Sequence, residues 1–449
     1  MYGQSNSIWC YFIKNIILGI DGGCFESIES LLQKNLLPNF KKLIDEGVAA
    51  KLKVTIPPVT IPSWPCSFSG ITPQQLGYYW FDHPKKGLFN SGFWKEKSIF
   101  SINNLRQFVL NVPGTYPAWK INGEMISGMM SPSTSCYPTE LKFFLRKDWI
   151  VDAKEVKECF KAFNIKKGFF LKKLKEDFNL LTYVIRLPDT LSHNTHLERN
   201  KVINYINLAY RKIDDFLYHI LNEFSFDNLI IFSDHGLKFY DYEFNICRWL
   251  EKKGLMYINK SQKSKFYSIV SKLFDLIRPL VRINYEKVRF IKMRFFKDAI
   301  KDFIYSKDAF EESKVMSLFG NVGAIFLNEK EKGKKEEIIR KLNKDKRVRE
   351  VISLKIDGFP DIIVVLEDKY LFDHNPSMYV IRGRNTMSHI QNGFFIAYGN
   401  NIKKNQLKYV NYTDIAPTIL KLFGIKKMDY MQGNALNIFK NDENNQISK

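Results

Sequence analysis

Acidic and imidazole residues of this chain follow short apolar runs directly. Asp21 follows N-I-I-L-G-I, Asp189 follows L-T-Y-V-I-R-L-P, and the pair Asp234-His235 follows N-L-I-I-F-S. Because ligand-binding loops of a parallel sheet lie at the carboxyl ends of its strands, we expect these side chains to lie close together. Imidazole plus carboxylate, without cysteine, suits zinc or manganese in a hydrolytic site that keeps positions open for water and substrate.

Two further histidines accompany this pattern. His193 lies four residues after Asp189, and His389 precedes another apolar run in S-H-I-Q-N-G. A single Asp-Gly or Asp-His-Gly after a strand is equally well explained as turn chemistry. The metal interpretation therefore depends on the recurrence of such residues at every strand end. The remaining histidines are assigned to surface, supporting or core positions: His83, His196, His219 and His374.

A hydroxyl that could act beside such metals is that of Thr60, in T-I-P-P-V-T-I-P-S-W. It lies at the predicted start of a helix, where an anion is favoured. Taken alone, such a threonine is more often a helix cap or a strand residue. Its role as a nucleophile therefore depends on the metal-ligand pattern.

The elements that must position these residues are short buried strands separated by helical patterns. Apolar runs at 15–21, 181–187, 228–232 and 393–398 alternate with helical spacing, which predicts a mostly parallel sheet covered on both faces. Residues 322–366 follow the order strand, helix, strand, strand, and predict a small α+β insertion. We expect the insertions between His235 and His389 to form part of a lid.

Residues 260–304 carry a large share of the positive charge. Twelve Lys and Arg residues face four acidic ones, and apolar residues interleave with them as in an amphipathic helical pair. Three interpretations remain open. The segment could contact an anionic membrane, form a solvated or substrate-guiding face, or bind nucleic acid, the last being disfavoured because no recognised binding module accompanies the charge.

The composition excludes several classes of protein. The chain has 449 residues, 45% hydrophobic and 26% charged, which rules out collagen-like, low-complexity and disordered sequences. Its net charge of +21 favours phosphate-bearing partners without choosing among substrate, nucleic acid and membrane. Six cysteines without a CxxC pair indicate reduced thiols. The absence of a signal-peptide pattern or a long apolar window predicts a cytoplasmic protein, with peripheral membrane contact left open.

The order of motifs resembles the type I phosphodiesterase and nucleotide pyrophosphatase family of the alkaline phosphatase superfamily, especially its intracellular prokaryotic branch. The stretches that carry the resemblance are G-I-D-G-G, T-I-P-P-V-T-I-P-S-W, P-D-T-L-S-H, F-S-D-H-G and S-H-I-Q-N-G, within about residues 15–435. The fold implied is an alkaline-phosphatase-like α/β three-layer sandwich with a central, mostly parallel sheet, plus the basic helical and α+β insertions.

The resemblance also implies roles for individual residues. Thr60 becomes the nucleophile that forms a phosphothreonine intermediate, and Ser63 takes the place where eukaryotic members carry an Asn that binds a phosphate oxygen. Two metals, usually zinc, with manganese as the alternative, would be held by two sets of side chains. One set is Asp21, Thr60, Asp234 and His235, and the other is Asp189, His193 and His389.

The activity implied is hydrolysis of a phosphate diester or pyrophosphate in a small, lipid-linked or nucleotide-linked substrate. Alternatives are a phosphomonoesterase, a phosphoryl or phospho-alcohol transferase of the same superfamily, and a non-catalytic binding protein at a membrane surface. A sulfatase is disfavoured because the stretch from Ser63 lacks the arginine of C/S-x-P-x-R. A dinucleotide-dependent dehydrogenase is disfavoured because G-I-D-G-G is not G-x-G-x-x-G.

The predicted domain organisation has five parts. They are a first core part at 14–259, the basic insertion at 260–304, the α+β insertion at 305–370, a second core part at 371–436 and a flexible tail at 437–449.

Overall fold

The computed structural model describes residues 14–255, apart from 84, 132, 146–148, 150–152, 154 and 195–197, and residues 313–440, apart from 375–379. The chain forms two compact units, Met1–Phe239 with Thr386–Lys449, and Tyr240–Asn385. The predicted basic segment 260–304 and residues 441–449 of the predicted tail lie outside the described residues. The domain boundaries drawn from the sequence stay a prediction.

The described strands and helices alternate along much of the chain. The strands are β1 Asn15–Ile20, β2 Val48–Lys53, β3 Asp82–His83, β4 Gly87–Leu88, β5 Gln107–Leu110, β6 Gly123–Ile126, β7 Cys136–Tyr137, β8 Leu180–Ile185, β9 Asn228–Phe232, β10 Gly236–Asn245, β11 Lys314–Ser317, β12 Val322–Phe326, β13 Val348–Ser353, β14 Ile362–Leu366, β15 Tyr370–Asp373, β16 Ile381–Ile390, β17 Asn392–Gly399 and β18 Asn405–Asn411. The helices are α1 Phe25–Leu32, α2 Pro38–Glu46, α3 Thr60–Ser67, α4 Pro73–Leu76, α5 Val156–Lys173, α6 Leu187–Ser192, α7 Arg199–Glu223, α8 Ile246–Lys252, α9 Lys335–Asn343 and α10 Ile415–Lys421.

The first unit is built on a nine-stranded sheet in the order β18-β2-β17-β9-β1-β8-β5-β6-β7. From β9 to β6 the neighbouring strands are parallel, whereas β17 runs antiparallel to both of its neighbours. Ile20 at the end of β1 lies opposite Ile185 at the end of β8. The carboxyl ends of these central strands therefore form one edge.

Both faces of this sheet are covered. Leu18 of β1 belongs to a core that includes buried residues of α1, α2, α5 and α7. Its neighbour Ile17 points the other way, into a core with residues of α3 and α10. Successive side chains of a strand alternate between faces, so one buried apolar run serves two cores. The result is the predicted α/β three-layer sandwich with a mostly parallel central sheet.

A glycine lets α3 approach β1 closely. A Cβ built on Gly19 would lie 2.4 Å from the ring of Trp64, which is fully buried on α3. No side chain larger than hydrogen fits at that distance. The close packing holds the helix that begins at Thr60 against the strand that precedes Asp21.

The second unit contains a four-stranded antiparallel sheet in the order β11-β12-β14-β13. The helix α9 lies between β12 and β13 in the chain and buries Ile338 and Leu342. Residues 322–366 therefore have the predicted order of strand, helix, strand and strand. None of the described helices is long and apolar enough to cross a membrane.

Residues assigned to the tail are in part packed. Ile438 and Phe439 are buried, and Phe439 forms an isolated bridge with Ile402. Apolar contact rather than the polar composition of the tail decides the conformation at these two positions.

Candidate active site

The predicted ligands gather at the carboxyl edge of the central sheet. Asp21 directly follows β1, Asp189 lies on α6 after β8, and Asp234 and His235 follow β9. The amide of Asp189 donates to the backbone oxygen of Asp21 at 3.1 Å, which joins the ends of β1 and β8. Parallel pairing thus brings together side chains that are more than 200 residues apart in the chain.

The first metal group consists of Asp21, Asp234 and His235. Nε2 of His235 lies 3.3 Å from Oδ1 of Asp21 and 3.4 Å from Oδ2 of Asp234. All three side chains are fully buried. The amide of Gly22, which adopts a φ of +71°, donates to Oδ1 of Asp234 at 3.3 Å and fixes that carboxylate.

The second metal group consists of Asp189, His193 and His389. Oδ1 of Asp189 lies 3.2 Å from Nε2 of His193 and 3.4 Å from Nε2 of His389. The two groups adjoin, because the same oxygen lies 4.0 Å from Nε2 of His235. The rings of His235 and His389 stack with centroids 3.7 Å apart.

Both groups have the chemistry of cation sites. Within each group the ligand atoms all lie within 4.8 Å of one another. Among the described residues, Oδ1 of Asp21, Oδ1 of Asp189, Oδ2 of Asp234 and Nε2 of His235 are buried and make no hydrogen bond. Buried polar atoms normally have partners, and a divalent cation supplies one to several of them at once. The residues therefore fit a pair of metal ions.

Two histidines are oriented by backbone carbonyls. Nδ1 of His389 lies 2.8 Å from the oxygen of Pro58, and Nδ1 of His235 lies 3.2 Å from the oxygen of Gly236. Since a carbonyl only accepts, Nδ1 of each ring carries the proton and donates it. Each Nε2, which faces the carboxylates, is then the ring atom that could hold a cation.

When no cation is bound, the carboxylates of the first metal group and Asp189 keep His235 protonated. Burial opposes protonation of His235, but the charges of Asp234, Asp21 and Asp189 outweigh it and raise its pKa to about 10. Burial and the neighbouring charge of Asp21 raise the pKa of Asp234 well above its ordinary value. A buried cluster of carboxylates thus retains positive counter-charge.

In the second metal group, the pKa values of the two histidines shift in opposite directions. Burial and the charge of His235 lower the pKa of His389 to about 4. Asp189 raises the pKa of His193 although burial opposes this. Burial disfavours the Asp189 carboxylate, but His193 and His389 lower its pKa well below the ordinary value. His389 is therefore a neutral imidazole at neutral pH, ready to bind a metal.

Thr60 is buried at the first position of α3, with the extended residue Val59 before it. The segment before it reaches the second metal group through the bond between Pro58 and His389. Ser63, one turn later, is buried with its Oγ 2.5 Å from Oγ1 of Thr55. These two residues thus lie on an element tied to the metal-ligand cluster.

Arg186 is a site residue that the sequence interpretation missed. Its Nε lies 3.3 Å from Oδ2 of Asp21, and its Nη2 lies 3.6 Å from Oδ2 of Asp189. It thus contacts one carboxylate from each metal group. The available signal was its position directly after the apolar run of β8, three residues before Asp189.

Comparisons with known proteins agree with this arrangement. The family model for type I phosphodiesterase / nucleotide pyrophosphatase matches residues 15–393. The chain therefore belongs to this family, which is metal-dependent, and the protein is an enzyme that hydrolyses phosphoric esters. No curated protein sequence matches the chain.

Solved structures show the same fold at low sequence identity. Human ectonucleotide pyrophosphatase / phosphodiesterase 5 is 14% identical with a TM-score of 0.56, over 95% of this chain and 100% of the other. An inactive threonine-to-alanine variant of the murine protein, bound to AMP, is also 14% identical. Its TM-score is 0.57, over 95% of this chain and 100% of the other. Phosphonoacetate hydrolase from Sinorhizobium meliloti 1021, bound to phosphonoformate, is 14% identical with a TM-score of 0.58. The match covers 90% of this chain and 94% of the other.

Proposed function

We propose that the protein hydrolyses phosphate diesters or pyrophosphates, with Thr60 as nucleophile and two divalent cations, zinc or manganese, as cofactors. The first metal group and Thr60 would hold one cation, and the second metal group the other. The observation that carries the proposal is the adjacency of the two groups, joined by Asp189 Oδ1 and His235 Nε2 at 4.0 Å. Paired cations about 4 Å apart are the usual arrangement for in-line displacement at phosphorus.

The chain's own residues would act in two steps. Oγ1 of Thr60 gives up its proton to water and attacks phosphorus, the bond to the leaving alcohol breaks, and the alcohol takes a proton from water. A water molecule then attacks the phosphothreonine, restoring the hydroxyl and releasing the phosphorylated product. When bound, the cations supply the positive charge that stabilises the Thr60 alkoxide and the phosphoryl oxygens.

We assign Ser63 a contact with a phosphoryl oxygen. It lies one turn after Thr60 on α3, and its hydroxyl can donate to only one acceptor at a time. Oγ1 of Thr55 donates its single proton to the oxygen of Pro57 at 2.7 Å, so Ser63 is the donor in its short contact with Thr55. Contact with a phosphoryl oxygen would therefore redirect the Ser63 hydroxyl from Thr55 to the phosphoryl group. We expect Ser63→Ala to raise KM for the ester more than it lowers kcat.

The decisive experiment replaces Thr60. With zinc or manganese added, Thr60→Ala should lose turnover of an aryl phosphodiester by at least about 10³-fold, since the nucleophile is gone. Thr60→Ser keeps a hydroxyl and serves as the matched control. Metal content measured on both variants separates loss of the nucleophile from loss of a cation. Undiminished activity of a metal-loaded Thr60→Ala variant would refute the assignment.

Rates on aryl phosphate monoesters and diesters decide which ester is preferred. The ligands described above do not distinguish one ester bond on phosphorus from two. A higher kcat/KM for the diester supports the proposal, whereas a clear preference for the monoester identifies a phosphomonoesterase with the same site.

A further inference from the structure

Two buried hydroxyls join the ends of the segment that carries Thr60. Thr55 lies two residues after β2, and Ser63 lies in the first turn of α3. Both side chains are buried, and Oγ1 of Thr55 is 2.5 Å from Oγ of Ser63. The two residues are eight positions apart in the chain, and Thr60 lies between them. Their contact therefore closes the segment 55–63 across its base.

The hydroxyl of Thr55 also holds the turn inside this segment. Oγ1 of Thr55 donates to the oxygen of Pro57 at 2.7 Å, and the amide of Val59 donates to the same oxygen at 3.0 Å. Since a hydroxyl has one proton to donate and can also accept, Thr55 donates to Pro57 and accepts from Ser63. One side chain thus links the turn to the start of α3.

Prolines leave this turn with few backbone donors. Pro57 and Pro58 have no amide proton, and Pro62 follows within the first turn of α3. The turn therefore depends on a side-chain donor, which the hydroxyl of Thr55 supplies. The side chain of Thr55 is 0% exposed, so bulk water does not replace this donor.

The turn held by Thr55 reaches two parts of the candidate active site. Pro58, the residue after the acceptor of Thr55, orients His389 of the second metal group through the 2.8 Å contact between its oxygen and Nδ1. Thr60 follows two residues later, at the first position of α3. A displacement of the turn would therefore move the carbonyl that orients His389 and the hydroxyl of Thr60 together.

We propose that Thr55 is a positioning residue, whose hydroxyl fixes the turn at Pro57 and thereby the placement of Thr60 relative to His389. The inference rests on the proposed function, which makes Thr60 the nucleophile and His389 a ligand of the second cation. Thr55 belongs to neither metal group and acts through its neighbours. When Ser63 turns from Thr55 to the phosphoryl group, the bond from Thr55 to Pro57 remains. Misplacement of a reacting group by about 1 Å can cost about 10²-fold in rate.

The variant Thr55→Val tests this role because it keeps the branched shape and removes the hydroxyl. In competition with a chelator, one of the two zinc Kd values should rise by at least about threefold, since the ring of His389 is less firmly oriented, while the other stays unchanged. With both sites saturated with zinc, kcat for an aryl phosphodiester should fall by at least about tenfold, and KM should change less than kcat.

Two matched variants separate positioning from a loss of stability. Thr55→Ser restores a hydroxyl and should recover most of kcat and the wild-type zinc affinity. Thr182→Val makes the same change at a fully buried threonine of β8, whose hydroxyl makes no hydrogen bond within the described part of the chain, and should behave as the wild type. A Thr55→Val variant with a lowered melting temperature but wild-type kcat and zinc affinity would overturn the proposal.

A third variant keeps the test decisive if Thr55→Val does not fold. Thr55→Cys retains a weak S–H donor, so its kcat and its zinc affinity should lie between those of the Ser and Val variants. Wild-type values of both quantities in Thr55→Cys would then overturn the positioning role.

Failure of the positioning role and failure of the proposed function give different results. If zinc-dependent hydrolysis is present and Thr55→Val leaves it and the zinc affinity unchanged, only the role of Thr55 is wrong. If hydrolysis is absent but Thr55→Val weakens one zinc site and Thr55→Ser restores it, the link from Thr55 to His389 stands and the proposed catalysis does not.

Discussion

The two metal groups differ in their exposure to solvent. In the first group, Asp21 and His235 are completely buried; Asp21 directly follows β1, and His235 lies three residues after the end of β9. In the second group the side chain of His193 is 48% exposed, at the end of the six-residue helix α6. The first group is therefore enclosed by the sheet, whereas His193 opens the second group to solvent. We infer that water and substrate enter beside His193.

The enclosed group should respond most strongly to a lost ligand. Asp234→Asn removes a buried carboxylate that no neighbour can replace, so hydrolysis should fall by at least about 10³-fold, several kcal/mol of transition-state stabilisation. Metal analysis should show one cation fewer per chain. Asp215→Asn, at an exposed position of α7, is the control and should behave as the wild type. Full metal content with high activity in Asp234→Asn would contradict the assignment.

The open group should tolerate substitution better. In His193→Ala, water can fill the exposed position, so we expect turnover to fall by about 10²-fold while the cation of the first group stays bound. The free energy of unfolding should change little because the side chain is half exposed. His219→Ala, on the exposed side of α7, provides the matched control. A loss of both cations in His193→Ala would show that the two groups are not separable.

The groups should also differ in the protons that they release. With a pKa raised to about 10, His235 is protonated at pH 7.5 in the metal-free protein, and a cation must displace that proton. In the second group, His389, with a pKa lowered to about 4, has no proton to lose from Nε2, whereas Asp189 raises the pKa of His193. Zinc affinity should therefore fall by at least about tenfold per pH unit on acidification below pH 7.5, because His235 alone releases one proton.

Calorimetry checks this proton release. Zinc titrations in two buffers of different ionisation enthalpy should give different apparent enthalpies in the wild type. They should do so in His193→Ala as well, because the first group remains. Identical enthalpies in both buffers would show that no proton is released.

The smallest effect concerns the residue that joins the two groups. Arg186 compensates buried carboxylates of both when no cation is present. Arg186→Met should lower the free energy of unfolding in EDTA by about 2 kcal/mol, and by less in the presence of zinc. Thermal unfolding of Arg186→Met and of the exposed control Arg211→Met, with and without zinc, measures the difference. An equal loss of stability in both conditions would assign Arg186 a role unrelated to the carboxylates.

The three aspartates of this site could be predicted because each follows an apolar run that is visible in the sequence. A carboxylate that ends a buried apolar run is visible in sequence, and Asp21, Asp189 and Asp234 were predicted in this way. Arg186 was not, because its two partners become neighbours only through the register that sets Ile20 opposite Ile185. Nothing in the residues around Arg186 indicates which charges it will meet.

His389 and Asn111 illustrate a second limit. His389 precedes the apolar strand β17, as the sequence predicted, but it lies itself on β16, where the carbonyl of Pro58 orients its ring. No sequence pattern singled out Asn111, which has a left-handed φ of +60° and accepts a hydrogen bond from the buried Lys166 of helix α5. Both roles depend on contacts with distant parts of the chain.

The amino-acid sequence by itself determined the fold class, the order of strands and helices around the site, and the types of ligand at the strand ends, because apolar periodicity and the residues that end it are local properties. The tertiary structure alone decided how far each ligand is buried, how closely the two groups adjoin and where Arg186 lies. These are consequences of strand register and helix packing, which bring together residues as far as 331 positions apart, as for Pro58 and His389, and no local pattern encodes them.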